Sequence, residues 1–283
     1  MAKGSKDIGV GLVSYKMDDE MINNLSDSLD NYPLAYKVVV DNSPTNNSKD
    51  SFIKRGWKYI HKKNNPGFGV SHNEIFDNFS HKSEFHLIVN PDVRFNSSIL
   101  DELKNFLIDK SDAGAVAPAV YYPNGDFQNL RKLLPSPYGW FLRRFKKNSL
   151  ELWHYNFLFE MQFAPQNGIF KIPYMSGCFM LLRNSVIRSI GLFDRKIFMY
   201  GEDTDLSRRL WINNTPPYYY GLVNITHAFA KGSHNSYRLL LIAIKSTIYY
   251  FNKWGWLDKN RKEINKNCME QFTQRKSNFN LNR

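Results

Sequence analysis

The chain has only two cysteines in 283 residues, Cys178 and Cys268, and they stand far apart. That excludes a disulfide framework and offers no metal-knuckle spacing, so a reducing compartment is expected. Long apolar runs are missing too: the longest in the C-terminal region, Leu239 to Ile244, falls far short of the ~20 residues that span a bilayer. The start, MAKGSKDIGVGLVSY, enters a strand-like run without the apolar core and small-residue cleavage site of a secretory signal, and a cytoplasmic location is the expectation. There is no internal repeat or low-complexity tract. No P-loop lysine follows the one glycine-rich stretch, and no recognised nucleic-acid motif accompanies the positive charge.

That charge, a net +12, is unevenly placed. From Lys231 to Arg283 there are eleven Lys and Arg against three acids, Asp258, Glu263 and Glu270, so the tail holds most of the excess. A basic tail fits an anionic partner: nucleic acid, acidic lipid or a phosphorylated substrate. The length allows one large α/β domain with an appendage, divided here as 1–230 and 231–283.

Short apolar, β-branched runs at 8–15, 36–43, 57–62, 85–93 and 114–122 predict strands, each ending in polar or turn residues. Helices are predicted at about 18–30, 69–79 and 97–109. Strand and helix in turn imply a largely parallel sheet covered on both faces. Ligands of such sheets bind beyond the carboxyl ends of the strands, which here carry Ser14, Asp41-Asn42-Ser43 and Asn90-Pro91-Asp92. Residues 123–167 read as a long irregular segment rich in aromatics and basic residues, a length of loop that is usually functional or disordered. A strand and turn at 170–184 and a strand at 217–229 follow. The final segment, opening YRLLLIAIKSTIYYFNKWGW, suits either a helix in a membrane interface or one packed on the domain.

Several side chains could carry chemistry. Asp41 could accept hydrogen bonds from a nucleobase or ribose, or simply form a turn. Asn64-Asn65-Pro66-Gly67-Phe68-Gly69 frees the backbone before a helix whose first N–H groups could approach a phosphate. Asp92, just past an apolar strand, could hold a hard divalent cation that also touches substrate phosphates, or cap the next turn. His227 and His234 have no ligand spacing of their own, and only a partner such as Asp92 would make His227 a ligand. In FMYGEDTDLSRRL, Phe198 to Leu210, Asp205 and Arg209 form an i,i+4 pair and acids in the first turn complement the helix dipole. At ~100° per residue, Leu206 and Leu210 set the buried stripe, Asp203 falls near its edge and Asp205 points well away.

Taken in order, VSYK, VVVDNS, NNPGFGVSHNEI, IVNPD, YMSGCFMLLRNSVIRSIGLFDRKIFMYGEDTDLSRRL and THAFAKGSHNS resemble the inverting GT-A glycosyltransferases that use nucleotide-sugar donors. Within that family the chain is most similar to bacterial rhamnosyltransferases of O-antigen and other cell-surface polysaccharides. The resemblance implies a Rossmann-like sheet with helices on both faces and a basic, amphipathic C-terminal helical extension. Ser14, Asp41, Asn42, Asn65, Gly67, Asn73, Asn90 and Gly177 would line the donor pocket. Asp92 and His227 would hold Mg2+ or Mn2+, with Asn90 in place of the first carboxylate of the common Asp-x-Asp motif. Asp203, with Glu202 beside it, would be the catalytic base. The implied donor is dTDP-L-rhamnose, with UDP-sugars as the alternative. The acceptor would be a polyprenyl-diphosphate-linked or growing glycan, reached from the inner face of the plasma membrane by the basic tail and the loop Trp140 to Lys147, with no nucleic acid involved. A non-catalytic basic binding protein for nucleic acid or membrane is the alternative from another class, supported by the tail alone.

Overall fold

The computed structural model describes residues 6–146, 149–228 and 237–280, with side chains through 273 in the last helix. Lys147, His234 and the expected domain boundary at 230/231 lie outside the described residues.

The N-terminal half alternates strand and helix: β1 (Ile8–Ser14), α1 (Asp19–Leu29), β2 (Tyr36–Asp41), α2 (Lys49–Lys54), β3 (Lys58–His61), α3 (Phe68–Phe79), β4 (Phe85–Val89), β5 (Val93–Arg94), α4 (Ser98–Asp109) and β6 (Ala115–Tyr121). Asp18 starts α1 by accepting a hydrogen bond from the Met21 N–H at 2.8 Å, the usual role of an N-cap carboxylate. Phe85 to Val89 is buried at every position, as a strand covered on both faces must be.

The second half holds α5 (Pro137–Phe145), α6 (Leu150–Phe159), β7 (Ile169–Lys171), β8 (Phe179–Arg183), α7 (Asn184–Ile190), α8 (Glu202–Ile212), β9 (Pro217–His227), α9 (Tyr237–Trp254) and α10 (Lys259–Asn280). The segment 123–167, expected to be irregular, thus contains two helices. Ser136 caps α5 through the Gly139 N–H with Pro137 in its first turn, and Ser149 caps α6 through the Leu152 N–H. The sequence LELWHYNFLF of α6 spreads its apolar residues around the whole helix and buries none of them fully, so it carries no helical period to read.

Among the described residues nine strands form one sheet in the order β3-β2-β1-β4-β8-β6-β9-β5, with β7 on β9. The first four are parallel, as are β6 and β9, whereas β8, β5 and β7 run antiparallel to their neighbours. The expected parallel character therefore holds in the N-terminal half and becomes mixed beyond β4. One core lies between α1, α2, α4 and the sheet, built on Leu25, Phe52, Leu103 and Leu87. Others lie on the opposite face, where Phe76, Leu206 and Leu210 meet Ile88, Met180 and Leu182, and where Ile75 and Phe79 meet Val38 and Val40.

The C-terminal helices lie on this domain. Tyr250 and Phe251 of α9 are buried, and the Ser246 hydroxyl donates to the Met199 carbonyl at 2.7 Å. In α10, Asn265 pairs with the Leu134 backbone and Phe272 stacks edge-on against Phe163 and Phe170. No helix among the described residues is long and apolar enough to cross a membrane.

Candidate active site

The carboxyl ends of β1, β2 and β4 share one edge of the sheet. Ser14 stands in register with Asp41, and the Asn90 N–H, just past β4, donates to the Cys178 carbonyl at 2.8 Å. Since Cys178 follows Gly177, this bond carries the rim from the parallel half across to the antiparallel strand β8.

The donor-side residues divide by what their polar atoms do. Asp41 is fully buried, and its carboxylate accepts from the Ser43 N–H and hydroxyl, the Ser48 hydroxyl at 2.8 Å and the Tyr59 hydroxyl at 2.6 Å. Burial alone would raise its pKa; the hydrogen bonds from Ser43, Tyr59 and Ser48 outweigh it and hold the carboxyl below its ordinary value. Both oxygens accept hydrogen bonds inside the chain, and Asp41 shapes the rim. Asn73 is engaged in the same way, since its amide donates to the Phe193 carbonyl at 2.8 Å and accepts from the Phe193 N–H at 2.9 Å. Asn42 accepts from Ser71, whereas the buried Ser14 hydroxyl has no hydrogen-bond partner among the described residues.

Gly67 answers why that stretch needs glycine. Its φ is 101°, and a Cβ there would lie 2.5 Å from the Phe198 carbonyl oxygen. Asn65 accepts from the Gly67 N–H, and the Phe68 N–H donates to Phe198 at 3.1 Å. The NNPGFG stretch and FMYGED, distant in sequence, therefore touch at the start of α3.

Across the rim, His227 Nε2 lies 3.3 Å from Asp92 Oδ1. The Gln128 amide donates to the His227 carbonyl at 2.6 Å, which turns its oxygen toward His227 Nδ1 at 3.0 Å. An acceptor at Nδ1 calls for Nδ1–H, so in the neutral ring the Nε2 lone pair faces the Asp92 carboxylate. No group of three or more His, Cys, Asp or Glu capable of holding a metal occurs among the described residues. The pair nevertheless suits an ion that keeps most of its shell for substrate phosphates and water, and the amide behind the imidazole is the ordinary support of such a ligand. Asn90 adds its backbone to the Val93 turn. Gln128 carried no signal in the sequence, because only folding brings residue 128 beside residue 227.

Asp203, in the first turn of α8, is held from three directions. Its Oδ2 accepts from the Tyr174 hydroxyl at 2.7 Å and the Gly177 N–H at 3.2 Å, and its Oδ1 accepts from the Thr204 N–H at 2.8 Å. A Cβ on Gly177 would lie 3.8 Å from the Asp203 Cβ, so the two backbones come close. Glu202 is buried beside it; burial first, and then Asp203, push its carboxyl up to about 8. Burial and the adjoining Asp203 raise the Tyr174 phenol well above its ordinary value. Asp203 lines a cleft of about 400 Å3 whose walls come from α5, α6 and α9. Tyr174 stands at the head of the YMSGC block but was not singled out in the sequence.

Asp205 corrects another expectation. Its pair with Arg209 forms, at 2.8 Å, but the carboxylate is fully buried: Lys253 and the Trp254 indole N–H of α9 cover its other oxygen at 2.6 and 2.9 Å. Arg208 is buried as well, ion-paired with Asp258 and 4.3 Å from the Trp254 ring centre. The face of α8 that local periodicity turns to solvent is roofed by the C-terminal segment.

No protein-family model matches the chain. The chain is 23% identical over 190 residues to the N-acetylglucosaminyl-diphospho-decaprenol L-rhamnosyltransferase of Mycobacterium tuberculosis, a match covering 61% of this chain and 60% of that protein. It thus spans less than two thirds of that relative's length. Among solved structures, GalNAc-T7 with UDP, GalNAc and Mn2+ superposes with a TM-score of 0.61 at 12% identity, over 87% of this chain and 48% of that one. The mannosyltransferase PcManGT from Pyrobaculum calidifontis, in complex with GDP-Man and Mn2+, gives 0.57 at 15% identity over 87% and 67%. Mannosyl-3-phosphoglycerate synthase from Rubrobacter xylanophilus gives 0.57 at 12% identity over 89% and 76%. With the sheet order and the rim described above, these likenesses show that the chain has the GT-A fold of the nucleotide-sugar glycosyltransferases.

Proposed function

We propose that the protein is a metal-dependent inverting glycosyltransferase that moves L-rhamnose from dTDP-L-rhamnose to a lipid-linked or growing glycan acceptor. The observation that carries this reading is Asp203: a carboxylate fixed by Tyr174, Gly177 and Thr204 at the border between the strand-end rim and an open cleft.

Inversion requires an acceptor hydroxyl in line behind the anomeric carbon while the nucleoside diphosphate leaves from the opposite face. Asp203 is oriented to take the proton of that hydroxyl on a carboxylate oxygen. Three donors fix its orientation, and the Tyr174 bond stops it from rotating away. Glu202, whose carboxyl holds its proton near neutral pH, keeps a second negative charge from building up beside the base. Asp92 and His227 would hold a divalent cation, which supplies neutralisation of charge on the departing diphosphate. Gly67 and Asn65 shape the approach to the first N–H groups of α3, and Ser14, Asn42 and Asn90 complete the donor rim around the buried Asp41.

The rhamnose assignment rests on the partial resemblance to the mycobacterial rhamnosyltransferase. Contact with an anionic membrane surface is supported by Phe141, Phe145 and Trp153, which α5 and α6 expose beside Arg144 and Lys146, and by Leu241 and Ile248 on the outer face of α9. Basic residues near such a surface contribute ~1 kcal/mol each.

A transfer assay with dTDP-rhamnose, UDP-sugars and GDP-sugars, run with and without a chelator, tests this reading. Transfer from dTDP-rhamnose alone, lost on chelation and giving the inverted anomer, is the expected result. Preference for a UDP-sugar would replace the donor, and retention of configuration would remove the in-line mechanism.

A further inference from the structure

The cleft beside Asp203 has an unusual balance of charge. Three cations line it, Lys132, Arg143 and Arg144, against the single carboxylate of Asp203. Arg143 is tied to Glu160 at 3.0 Å and rests 4.8 Å from the Phe159 ring centre, so its guanidinium is held in place. The Lys132 ammonium and the Arg144 guanidinium make no hydrogen bond or ion pair with any described residue, although both are partly buried. The Lys132 ammonium lies 5.5 Å from the centre of the Tyr174 ring. Desolvation is the largest influence on Lys132 and Arg143 adds to it, both disfavouring the charged form, while Glu160 and Asp203 act the other way. A cation kept out of water without a partner is costly, and a bound anion removes that cost.

The anion is not the diphosphate of the donor, because Asp92 and His227 lie outside this cleft. The remaining walls suit a sugar on a lipid or alkyl stem: Trp140, Tyr155 and Phe159 are aromatic, while Ala243, Ser246 and Thr247 of α9 are small. A volume of about 400 Å3 falls within the roughly 300–1,000 Å3 of small-ligand sites.

We propose that this cleft recognises its acceptor through a phosphate-ester or diphosphate group beside the acceptor sugar, with Lys132 and Arg144 as the residues that bind it and Arg143 as its fixed flank. This deepens the glycosyltransferase reading and rests on it. Arg144 presents a planar donor fork to phosphate oxygens and Lys132 a point charge near Asp203, so the phosphate anchors the sugar with a hydroxyl at the base.

The test is calorimetric binding without donor, using a short-chain alkyl-diphospho-N-acetylhexosamine, the corresponding alkyl glycoside without phosphate, and inorganic pyrophosphate. The wild-type protein is expected to bind the diphospho compound about 10- to 100-fold more tightly than the glycoside, the range for hydrogen bonds to charged groups. Lys132→Met with Arg144→Gln should erase that difference, and Lys132→Arg should keep most of it, with thermal melts reporting that each variant folds. Asp92→Asn should leave this binding intact. Equal affinity for both acceptors, an unchanged difference in the double variant, or loss in Asp92→Asn would overturn the proposal. Binding that behaves as expected, without transfer from any nucleotide sugar, would instead overturn the catalytic reading and leave the anion site standing. Pyrophosphate binding as tight as the diphospho acceptor would assign the cations to a free anion.

Discussion

Lys253 places its ammonium 2.6 Å from the Asp205 carboxylate, joining the C-terminal helix α9 to the helix that carries Asp203. Asp205 also takes Arg209 and Trp254, and α9 reaches the preceding loop through Tyr249 and Lys253 on Asp194. The basic tail therefore builds the wall of the candidate site in addition to any contact it makes elsewhere. Asp205→Ala would leave Lys253 and Arg209 facing a buried gap, and should cost ~3–5 kcal/mol, the range for breaking a buried ion pair from one side. Urea unfolding measures it; a loss below ~1 kcal/mol would show that the cluster is solvated.

Asp203→Asn keeps the shape of the side chain and removes its basicity. Nucleotide affinity should stay within about twofold while kcat falls by ~100- to 10,000-fold, the usual span for a general base. Full turnover in this variant would take Asp203 out of the base role. Tyr174→Phe, which leaves one Asp203 oxygen with fewer donors, should lower kcat with little change in donor affinity.

The Asp92–His227 pair predicts metal-linked nucleotide binding. In thermal-shift titrations, dTDP should stabilise the wild type more with Mn2+ than with a chelator, and Asp92→Asn or His227→Ala should abolish the difference. Gln128→Leu touches no substrate yet removes the support of the imidazole, and should weaken Mn2+ affinity ~10- to 100-fold. A Gln128 variant with wild-type metal dependence would show that the ring needs no such support.

Two buried histidines predict an acid-sensitive fold. Burial pushes His86 down to about 3, and burial together with His86 holds His72 well below its ordinary value. Each is neutral when folded but gains a proton when unfolded below ~6.5. Stability is therefore complete above that pH and is lost as pH falls toward 3. For His86 the slope of ~1.4 kcal/mol per pH unit gives about 2 kcal/mol between pH 6.5 and 5. Urea midpoints at pH 7.5 and 5 measure it, and His72→Leu should flatten the dependence.

Glu202 acts in the opposite direction. A folded pKa of about 8 against ~4.3 in the unfolded chain means that its contribution is complete at low pH and is lost as pH rises through 8. Glu202→Gln should therefore raise Tm relative to wild type progressively between pH 5 and 8.5. A constant difference across that range would place the carboxyl in contact with water.

Much of the fold was legible because its signals are local. VVVDNS and FHLIVN announce buried strands by continuous apolar residues. The α5–α6 pair was not legible, since α6 has no polar face and the N-caps of the two helices are serines inside a stretch full of turn-like residues. Among site residues, Asp203 could be distinguished from Asp205 by helical phase. Phase could not say that Asp205 is roofed by residues nearly fifty positions later. Nor could it say that the Asp41 carboxylate accepts from Ser43, Ser48 and Tyr59.

The sequence by itself determined the strand-and-helix alternation, the polar rim at the strand ends and the acid-rich start of α8, because periodicity, capping and glycine freedom act over a few residues. Only the tertiary structure decided which of those acids stay accessible, that Gln128 supports His227, and that Lys132 and Arg144 line the Asp203 cleft without a hydrogen bond or ion pair to any described residue. Those facts depend on surfaces meeting across long stretches of chain, where burial and desolvation, which local pattern does not record, set what each charge can do.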